Sequence, residues 1–240
     1  MLLLAIESAA LVASAALLKD DRIIAQYTLC NKMTHSQTLM PMTASMFESV
    51  GERISDIDAI AVSSGPGSFT GLRIGAASAL GIAGALEVPM IAVPTLDALA
   101  YGLCGSADII CPIMDARREQ VYNGIYRCRD DLQIVKQSRA LALDELISDL
   151  DGFDERVVFL GDAIDVYKDD IKQKMKGDYV FAPYHLRMPS AAAVASLGKI
   201  YLDRGQICTA ENFSLTYIRK SQAERQREAG VVNKGALPLE

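Results

Sequence analysis

Residues 63–75 read SSGPGSFTGLRIG, and this stretch joins an apolar segment to a long segment rich in small residues. Gly65 and Gly67 can adopt backbone angles that other residues avoid, and Pro66 stiffens the turn between them. Ser68 or Thr70 can cap the first turn of a helix. The stretch therefore predicts a buried strand, a glycine-rich turn and a capped helix. Such a turn can cradle an anion or simply reverse the chain, and the loop alone does not decide between the two.

Apolar segments on both sides of this turn predict a repeating order of strands and helices. The first unit has strands at 2–6, 11–18, 23–29, 58–62 and 90–93, and helices at 35–50, 70–86 and 95–103. A second, less clearly marked copy of this unit has strands at 109–114, 121–126, 132–138, 157–160 and 179–181, and helices at 143–150, 163–175 and 190–204. The pattern predicts an α/β fold with a duplicated βββαβαβα unit and mixed sheets. We expect domains at 1–106 and 107–240, with a solvated helix at 221–228 and a loose tail.

Composition places the chain among soluble globular proteins, since 50% of its 240 residues are apolar and 22% are charged. The formal net charge of −6 argues against a protein that binds nucleic acid without a partner. The apolar stretch 2–18 is better explained by two buried strands than by an export signal, because no Lys or Arg precedes it and Glu7 and Ser8 interrupt it. We therefore expect a cytoplasmic protein without a membrane segment.

Cysteine and histidine usage favours free thiols and no metal site. None of the five cysteines forms a CxxC pair, and His35 and His185 lie far apart. The cysteines are Cys30, Cys104, Cys111, Cys128 and Cys208.

Four motifs carry a family resemblance. They are LAIES at 4–8, GPGSFTGLRIG at 65–75, DARR at 115–118 followed by Val121 and Tyr122, and YIR at 217–219. In this order and separation they resemble the bacterial TsaB (YeaZ) proteins. The resemblance implies the two-lobed actin-like ATPase fold and a role in making N6-threonylcarbamoyladenosine next to the anticodon of tRNA.

The resemblance also implies partners. In this family the catalytic relative TsaD transfers the threonylcarbamoyl group, TsaB binds TsaD as a scaffold, and the ATPase TsaE joins them. We therefore expect a heterodimer with TsaD, a homodimer when TsaD is absent, and contact with tRNA only through the complex.

Two departures from the catalytic relatives predict that this chain is not itself an enzyme. The metal site of the relative needs histidines at positions i and i+4, but Leu39 follows His35 at that spacing. Phosphate binding at the first hairpin usually needs glycine after the acidic residue, and this chain has Glu7, Ser8, Ala9 and Ala10 instead. We assign no catalytic residue, no metal and no cofactor. A stand-alone ATP-dependent phosphotransferase of the actin and sugar-kinase type is the alternative.

Charged and loop residues form the candidate contact set for a ligand or partner. Asp115, Arg117 and Arg118 are either internal ion pairs or a means to reach a carboxylate or phosphate on a partner. The set is Glu7, Ser8, Gly65, Pro66, Gly67, Ser68, Thr70, Arg73, Asp115, Arg117 and Arg118.

Two helices are candidates for the partner-binding surface. The helix at 70–86 is poor in side-chain volume, which allows another backbone to approach, and the helix at 35–50 offers adaptable methionines. The helical spacing predicts that Met40 and Phe47 face away from the core. The predicted docking residues are Met40, Met42, Met46, Phe47, Gly71, Gly75, Ala76, Ala79 and Ala83.

Overall fold

The first of two mixed β-sheets is built from the N-terminal part of the chain. The structure, a computed structural model, describes residues 1–31 and 33–219. The first unit comprises β1 (Leu2–Glu7), β2 (Ala13–Lys19), β3 (Arg22–Leu29), α1 (His35–Val50), β4 (Ala59–Gly65), α2 (Phe69–Leu86), β5 (Met90–Pro94) and α3 (Thr95–Tyr101). The strand order is β3-β2-β1-β4-β5, with β1 antiparallel to β2 and parallel to β4.

The second sheet repeats this arrangement. It comprises β6 (Ser106–Asp115), β7 (Gln120–Cys128), β8 (Leu132–Ala142), α4 (Leu143–Leu150), β9 (Val157–Leu160), α5 (Ile164–Lys174) and β10 (Tyr179–Phe181), followed by α6 (Tyr184–Arg187) and α7 (Ala191–Asp203). The order β8-β7-β6-β9-β10 matches that of the first sheet strand for strand. The predicted duplicated fold with mixed sheets is therefore confirmed.

Helices cover both faces of the first sheet because β1 is apolar on both. Leu4 and Ile6 pack into a cluster with α1 and α2. Leu3 and Ala5 pack into a second cluster with α7. Helix α7 therefore belongs to the predicted second domain in sequence but packs on the first sheet. The division into 1–106 and 107–240 remains a prediction.

A buried polar network joins the two lobes, which are the two sheets with the helices on them. Asp97 of α3 accepts hydrogen bonds from Tyr126 of β7 at 2.8 Å and from Tyr201 of α7 at 3.4 Å. Burial raises the pKa of Asp97 above its usual range. An apolar cluster that includes Ala10 and Met114 surrounds this junction, so the lobes share a core there.

The predicted free state of two cysteines is wrong. Cys104 and Cys128 form a disulfide with their Cα atoms 4.7 Å apart. The Gly105 amide donates to the Cys128 carbonyl at 2.7 Å, which holds the two segments side by side. Cys30, Cys111 and Cys208 are free.

Most predicted elements agree with the structure to within a few residues. Helix α1 spans the predicted range, whereas β2 begins at Ala13 instead of residue 11. The predicted helix at 221–228 lies outside the described residues. Within the described range, α2 alone is long and apolar enough to span a membrane, with a mean hydropathy of 1.4. Core helices of soluble proteins pass the same test, and α2 buries six residues against the rest of the protein.

Candidate interlobe cleft and docking surface

The glycine-rich turn is shaped by two different constraints. Gly65 has a φ of 110°, and a Cβ there would lie 2.4 Å from the Thr216 carbonyl oxygen. Gly67 has no left-handed φ, contrary to the prediction, but a Cβ on it would lie 2.4 Å from the Ala9 carbonyl oxygen. The peptide bond between Gly65 and Pro66 is cis. Gly67 is therefore needed for close approach and not for an unusual backbone angle.

Ser68 is the N-cap of α2, as one of the two predicted alternatives had it. Its hydroxyl accepts a hydrogen bond from the Gly71 amide at 3.2 Å. Its own amide donates to the Ala9 carbonyl at 2.7 Å. Thr70 lies one residue inside the helix and is exposed. The cap and the first hairpin therefore hold each other in place.

Helix α2 packs directly against the first hairpin, which is the turn between β1 and β2. The Ser8 hydroxyl donates to the Gly71 carbonyl at 2.9 Å, and Ser8 is almost fully buried. A Cβ at Gly71 would lie 2.1 Å from the Ser8 carbonyl oxygen, and one at Gly75 would lie 2.2 Å from the Ser8 Oγ. These two glycines let α2 lie directly on the hairpin. Ala9 and Ala10 are also buried, so the hairpin offers neither a free hydroxyl nor a glycine at this point.

Glu7 is a fully buried carboxyl group at the end of β1. Its Oε1 accepts from the Ala9 amide at 2.5 Å, while Oε2 has no partner. The buried Ser63 hydroxyl on the neighbouring strand β4 is also unpaired. Burial raises the pKa of Glu7 to about 7, against the opposite effect of the Ala9 amide and the nearby Ser63 hydroxyl. Glu7 therefore titrates near neutral pH.

The turn between β6 and β7 carries the charge cluster. Arg117, Arg118 and Glu119 all have φ between 56° and 61°, a region that costs a non-glycine residue about 1 kcal/mol each. Asp115 accepts from the Arg117 amide at 2.7 Å and pairs with its guanidinium at 3.1 Å. The internal ion pair is thus present for Arg117. Arg118 is exposed and has no hydrogen bond or ion pair with any described residue.

Asp162, in the loop after β9, makes a hydrogen bond to the beginning of the same turn. Its Oδ1 accepts a hydrogen bond from the Asp115 amide at 3.0 Å. Burial raises the pKa of Asp162 above its usual range, and the nearby Asp115 charge acts in the same direction. The strand ends of β6 and β9 are therefore connected by an acidic side chain that lies outside the candidate contact set.

A cleft of about 730 Å³ lies between the glycine-rich turn after β4 and the turn between β6 and β7. The predicted residues that line it are Pro66, Gly67, Ser68, Thr70, Gly71, Asp115, Arg117 and Arg118. Glu7, Ser8, Gly65 and Arg73 are not among its lining residues. Leu11, Met33, Phe69, Asp162, Tyr217 and Arg219 also line it, and none of them was in the candidate contact set. Among the described residues no group of three or more His, Cys, Asp and Glu side chains could hold a metal ion.

Comparison with known proteins decides the family. The family model of TsaD, tRNA N6-adenosine threonylcarbamoyltransferase, matches residues 23–226. The tRNA threonylcarbamoyladenosine biosynthesis protein TsaB of Bacillus subtilis (strain 168) is 36% identical over 203 residues, which cover 83% of this chain and 87% of that protein. The chain belongs to the TsaB family.

Further relatives agree with this assignment. The TsaB protein of Escherichia coli (strain K12) is 39% identical over 133 residues, which cover 55% of this chain and 57% of that protein. The solved structure of YeaZ from Pseudomonas aeruginosa has a TM-score of 0.75 at 27% identity and covers 90% of this chain and 99% of that one. The ethanolamine utilization protein EutJ from Carboxydothermus hydrogenoformans shares the fold, with a TM-score of 0.50 at 10% identity over 81% of this chain and 89% of that one.

Most of the docking residues predicted for this TsaB-family chain are buried in its own core. Met40 alone of the nine is exposed, at 39%. Phe47, which the helical spacing had directed outward, is only 3% exposed, because it packs in the cluster between α1, α2 and the sheet. The buried eight are Met42, Met46, Phe47, Gly71, Gly75, Ala76, Ala79 and Ala83.

The small residues of α2 that do reach the surface lie on the opposite side of the helix. Ala77, Gly81 and Gly84 follow one another at helical spacing and are exposed, as is Ala85. A Cβ at Gly81 or Gly84 would have nothing within 4 Å. These four residues form what we call the α2 stripe. None of the four is among the nine predicted docking residues, although all four lie on the helix that was predicted to dock.

Proposed function

We propose that this chain is the non-catalytic scaffold subunit of a complex that makes N6-threonylcarbamoyladenosine next to the anticodon of tRNA. It binds the catalytic TsaD subunit as a heterodimer and supports the ATPase TsaE. Membership of the TsaB family supports this proposal. The net charge of −6 supports a role in which the partners, and not this chain, hold the tRNA phosphates.

The filled first hairpin is the observation that carries the non-catalytic part of the proposal. The Ser8 hydroxyl is already committed to the Gly71 carbonyl, and Gly67 packs against Ala9. A phosphate group at this turn would need free hydroxyl or amide donors, but the Ala9 amide donates to Glu7, and the hairpin presents the methyl-bearing Ala9 and Ala10 to the cleft. The proposal therefore places the chemistry on TsaD and TsaE.

The α2 stripe, with its neighbours on α1, is the proposed docking surface for TsaD. Helices α1 and α2 pack side by side on the same face of the first sheet. Met40, Pro41 and Ala44 are exposed on α1, and Gly81 and Gly84 leave α2 without side chains at its surface. Two helices from a partner can approach such a surface closely, and flexible methionine fills remaining gaps. A second copy of this chain can use the same surface when TsaD is absent.

Reconstitution tests the scaffold role. The purified chain is mixed with TsaD, TsaE, tRNA and threonylcarbamoyl-adenylate, and transfer to tRNA is measured with each protein omitted in turn. We expect transfer to fall to background when this chain is left out. Turnover of magnesium-ATP by the isolated chain would instead favour the stand-alone phosphotransferase.

A substitution on the stripe tests the docking surface. Gly81→Arg adds a large charged side chain where the single chain has open space, so its melting temperature should stay near that of the unsubstituted protein. Co-purification with TsaD should be lost. The matched control is Ser148→Arg, at an exposed position on α4 of the other lobe. Binding retained by Gly81→Arg would place the interface elsewhere.

Arg118 is the second proposed partner contact. It is exposed and unpaired within the described part of the chain, and its guanidinium can bind a carboxylate or phosphate in a bidentate manner. Arg118→Ala should reduce complex formation and modification at an unchanged melting temperature. Arg117→Ala, which removes the ion pair to Asp115, is the comparison, and its melting temperature should change little because the Arg117 side chain is 85% exposed.

A further inference from the structure

The segment at 208–219, which we call the strap, runs from the first lobe to the second. Cys208 and Met90 exchange two backbone hydrogen bonds of 2.8 and 2.9 Å at the outer strand β5. Further on, the Thr216 amide donates to the Ser64 carbonyl at 2.7 Å. The strap is therefore tied to the first lobe by main-chain hydrogen bonds at two places.

An aromatic contact fixes the strap to the beginning of α2. The ring of Tyr217 packs on Phe69 with 4.8 Å between their centroids. The Arg73 guanidinium lies 3.9 Å from the centre of the Phe69 ring and donates to the Tyr217 hydroxyl at 3.3 Å. These contacts hold the strap against the first turns of α2.

Arg219 makes the contact of the strap with the second lobe. Its guanidinium donates to the Arg117 carbonyl at 3.1 Å and also to the Ala116 carbonyl. Both acceptors belong to the left-handed turn between β6 and β7. Because both acceptors are main-chain atoms, this contact depends on the position of the turn and not on its side chains.

We infer that Arg219 is a latch that sets the separation of the two lobes at the mouth of the cleft. The lobes share a core at the cleft floor, where Ala10 and Met114 lie both in the cleft lining and in the apolar cluster. The strap spans the same cleft, and Thr216, Tyr217 and Arg219 line it. Within the described part of the strap, Arg219 alone hydrogen-bonds to the second lobe, so the cleft should open at its mouth when this side chain is removed.

The distance between the cleft lips tests the latch. Leu11 and Val166 line the cleft from the two lobes and are 63% and 60% exposed. Each is replaced by cysteine in the full chain, with Cys30 and Cys208 changed to serine, and spin labels are attached. Double electron–electron resonance then gives the distribution of distances between the labels. The protein with Arg219 should give one narrow distribution.

Arg219→Ala should shift this distribution to longer distances and broaden it. Arg219→Lys retains the charge but lacks the planar fork that reaches two carbonyls, and should shift it less. The control is Arg53→Ala, which removes an exposed arginine that pairs with Asp56 within the first lobe. An unchanged distribution in Arg219→Ala would overturn the inference. If the alanine variant fails to fold, an unchanged distribution in the lysine variant would overturn it.

Discussion

Replacing Glu7 by glutamine should stabilise the protein at pH 8 and have little effect at pH 5. The carboxyl is fully buried, and its pKa is raised from 4.5 to about 7. The folded state therefore binds a proton that the unfolded state has already released between these two pH values. Stability is lost as the pH rises through this window.

The size of the effect follows from the two pKa values. One pKa unit corresponds to about 1.4 kcal/mol, so a shift of this size costs the folded protein about 3 kcal/mol at pH 8 and less than about 1 kcal/mol at pH 5. Glutamine has no charge to bury. Its oxygen can accept from the Ala9 amide, and its NH₂ group can donate to the unpaired Ser63 hydroxyl.

Urea unfolding at pH 5, 6, 7 and 8 measures the difference in free energy between the two proteins. The difference should grow in favour of Glu7→Gln mainly between pH 5 and pH 7 and level off towards pH 8, above the raised pKa. Glu145→Gln is the control, because Glu145 is an exposed carboxylate on α4 and should give a small difference independent of pH. A constant difference for Glu7→Gln across this range would refute the argument.

Three further substitutions test the packing. Gly81→Ala should raise the free energy of unfolding by about 0.5–1 kcal/mol, since the site is helical and open, and thermal denaturation would detect this. Ala79→Arg, two residues away but fully buried, should cost more than about 4 kcal/mol, and a folded, native-like circular dichroism spectrum at 37 °C would contradict its placement. Tyr126→Phe removes the 2.8 Å hydrogen bond to Asp97 and should cost about 1.5–3 kcal/mol in urea unfolding, whereas a neutral result would mean that the bond contributes little.

The repeating architecture was predictable because apolar runs and glycine stops mark its elements. Leu39, Met42 and Met46 recur at helical spacing before Gly51, and this pattern gave the correct bounds of α1. Gly51 has the left-handed backbone conformation that is common where helices end. The cap at Ser68 was likewise visible in the sequence. These features are local, so neighbouring residues are enough to specify them.

Which face of α2 is buried was not predictable from the sequence, because small residues lie on every side of the helix. Ala77 is exposed and Ala79 is buried, although the two residues are identical in type. Phe69 and Leu72 likewise gave no sign of which of them would line the cleft. Only the position of α2 against β1 and the first hairpin decides these roles, and that depends on contacts distant in sequence.

The strap was also beyond sequence inspection. Ser64 and Thr216 form a hydrogen bond although they are far apart in sequence, and no periodic pattern relates them. The pairing of Cys104 with Cys128 was missed for the same reason. Tyr217 and Arg219 were noticed as part of a motif, but their stacking and hydrogen-bond partners lie on two different lobes.

The packing of α7 on the first sheet has a consequence for biosynthesis. Leu3, Ala5 and Ala61 are covered by α7, which ends at Asp203, so part of one face of the first sheet stays uncovered until α7 has also left the ribosome. Translation must therefore proceed for about a hundred residues past β5 while that apolar face is exposed to solvent or to a chaperone. A shortened polypeptide ending at residue 106 should accordingly precipitate, even though it contains every strand of the first sheet.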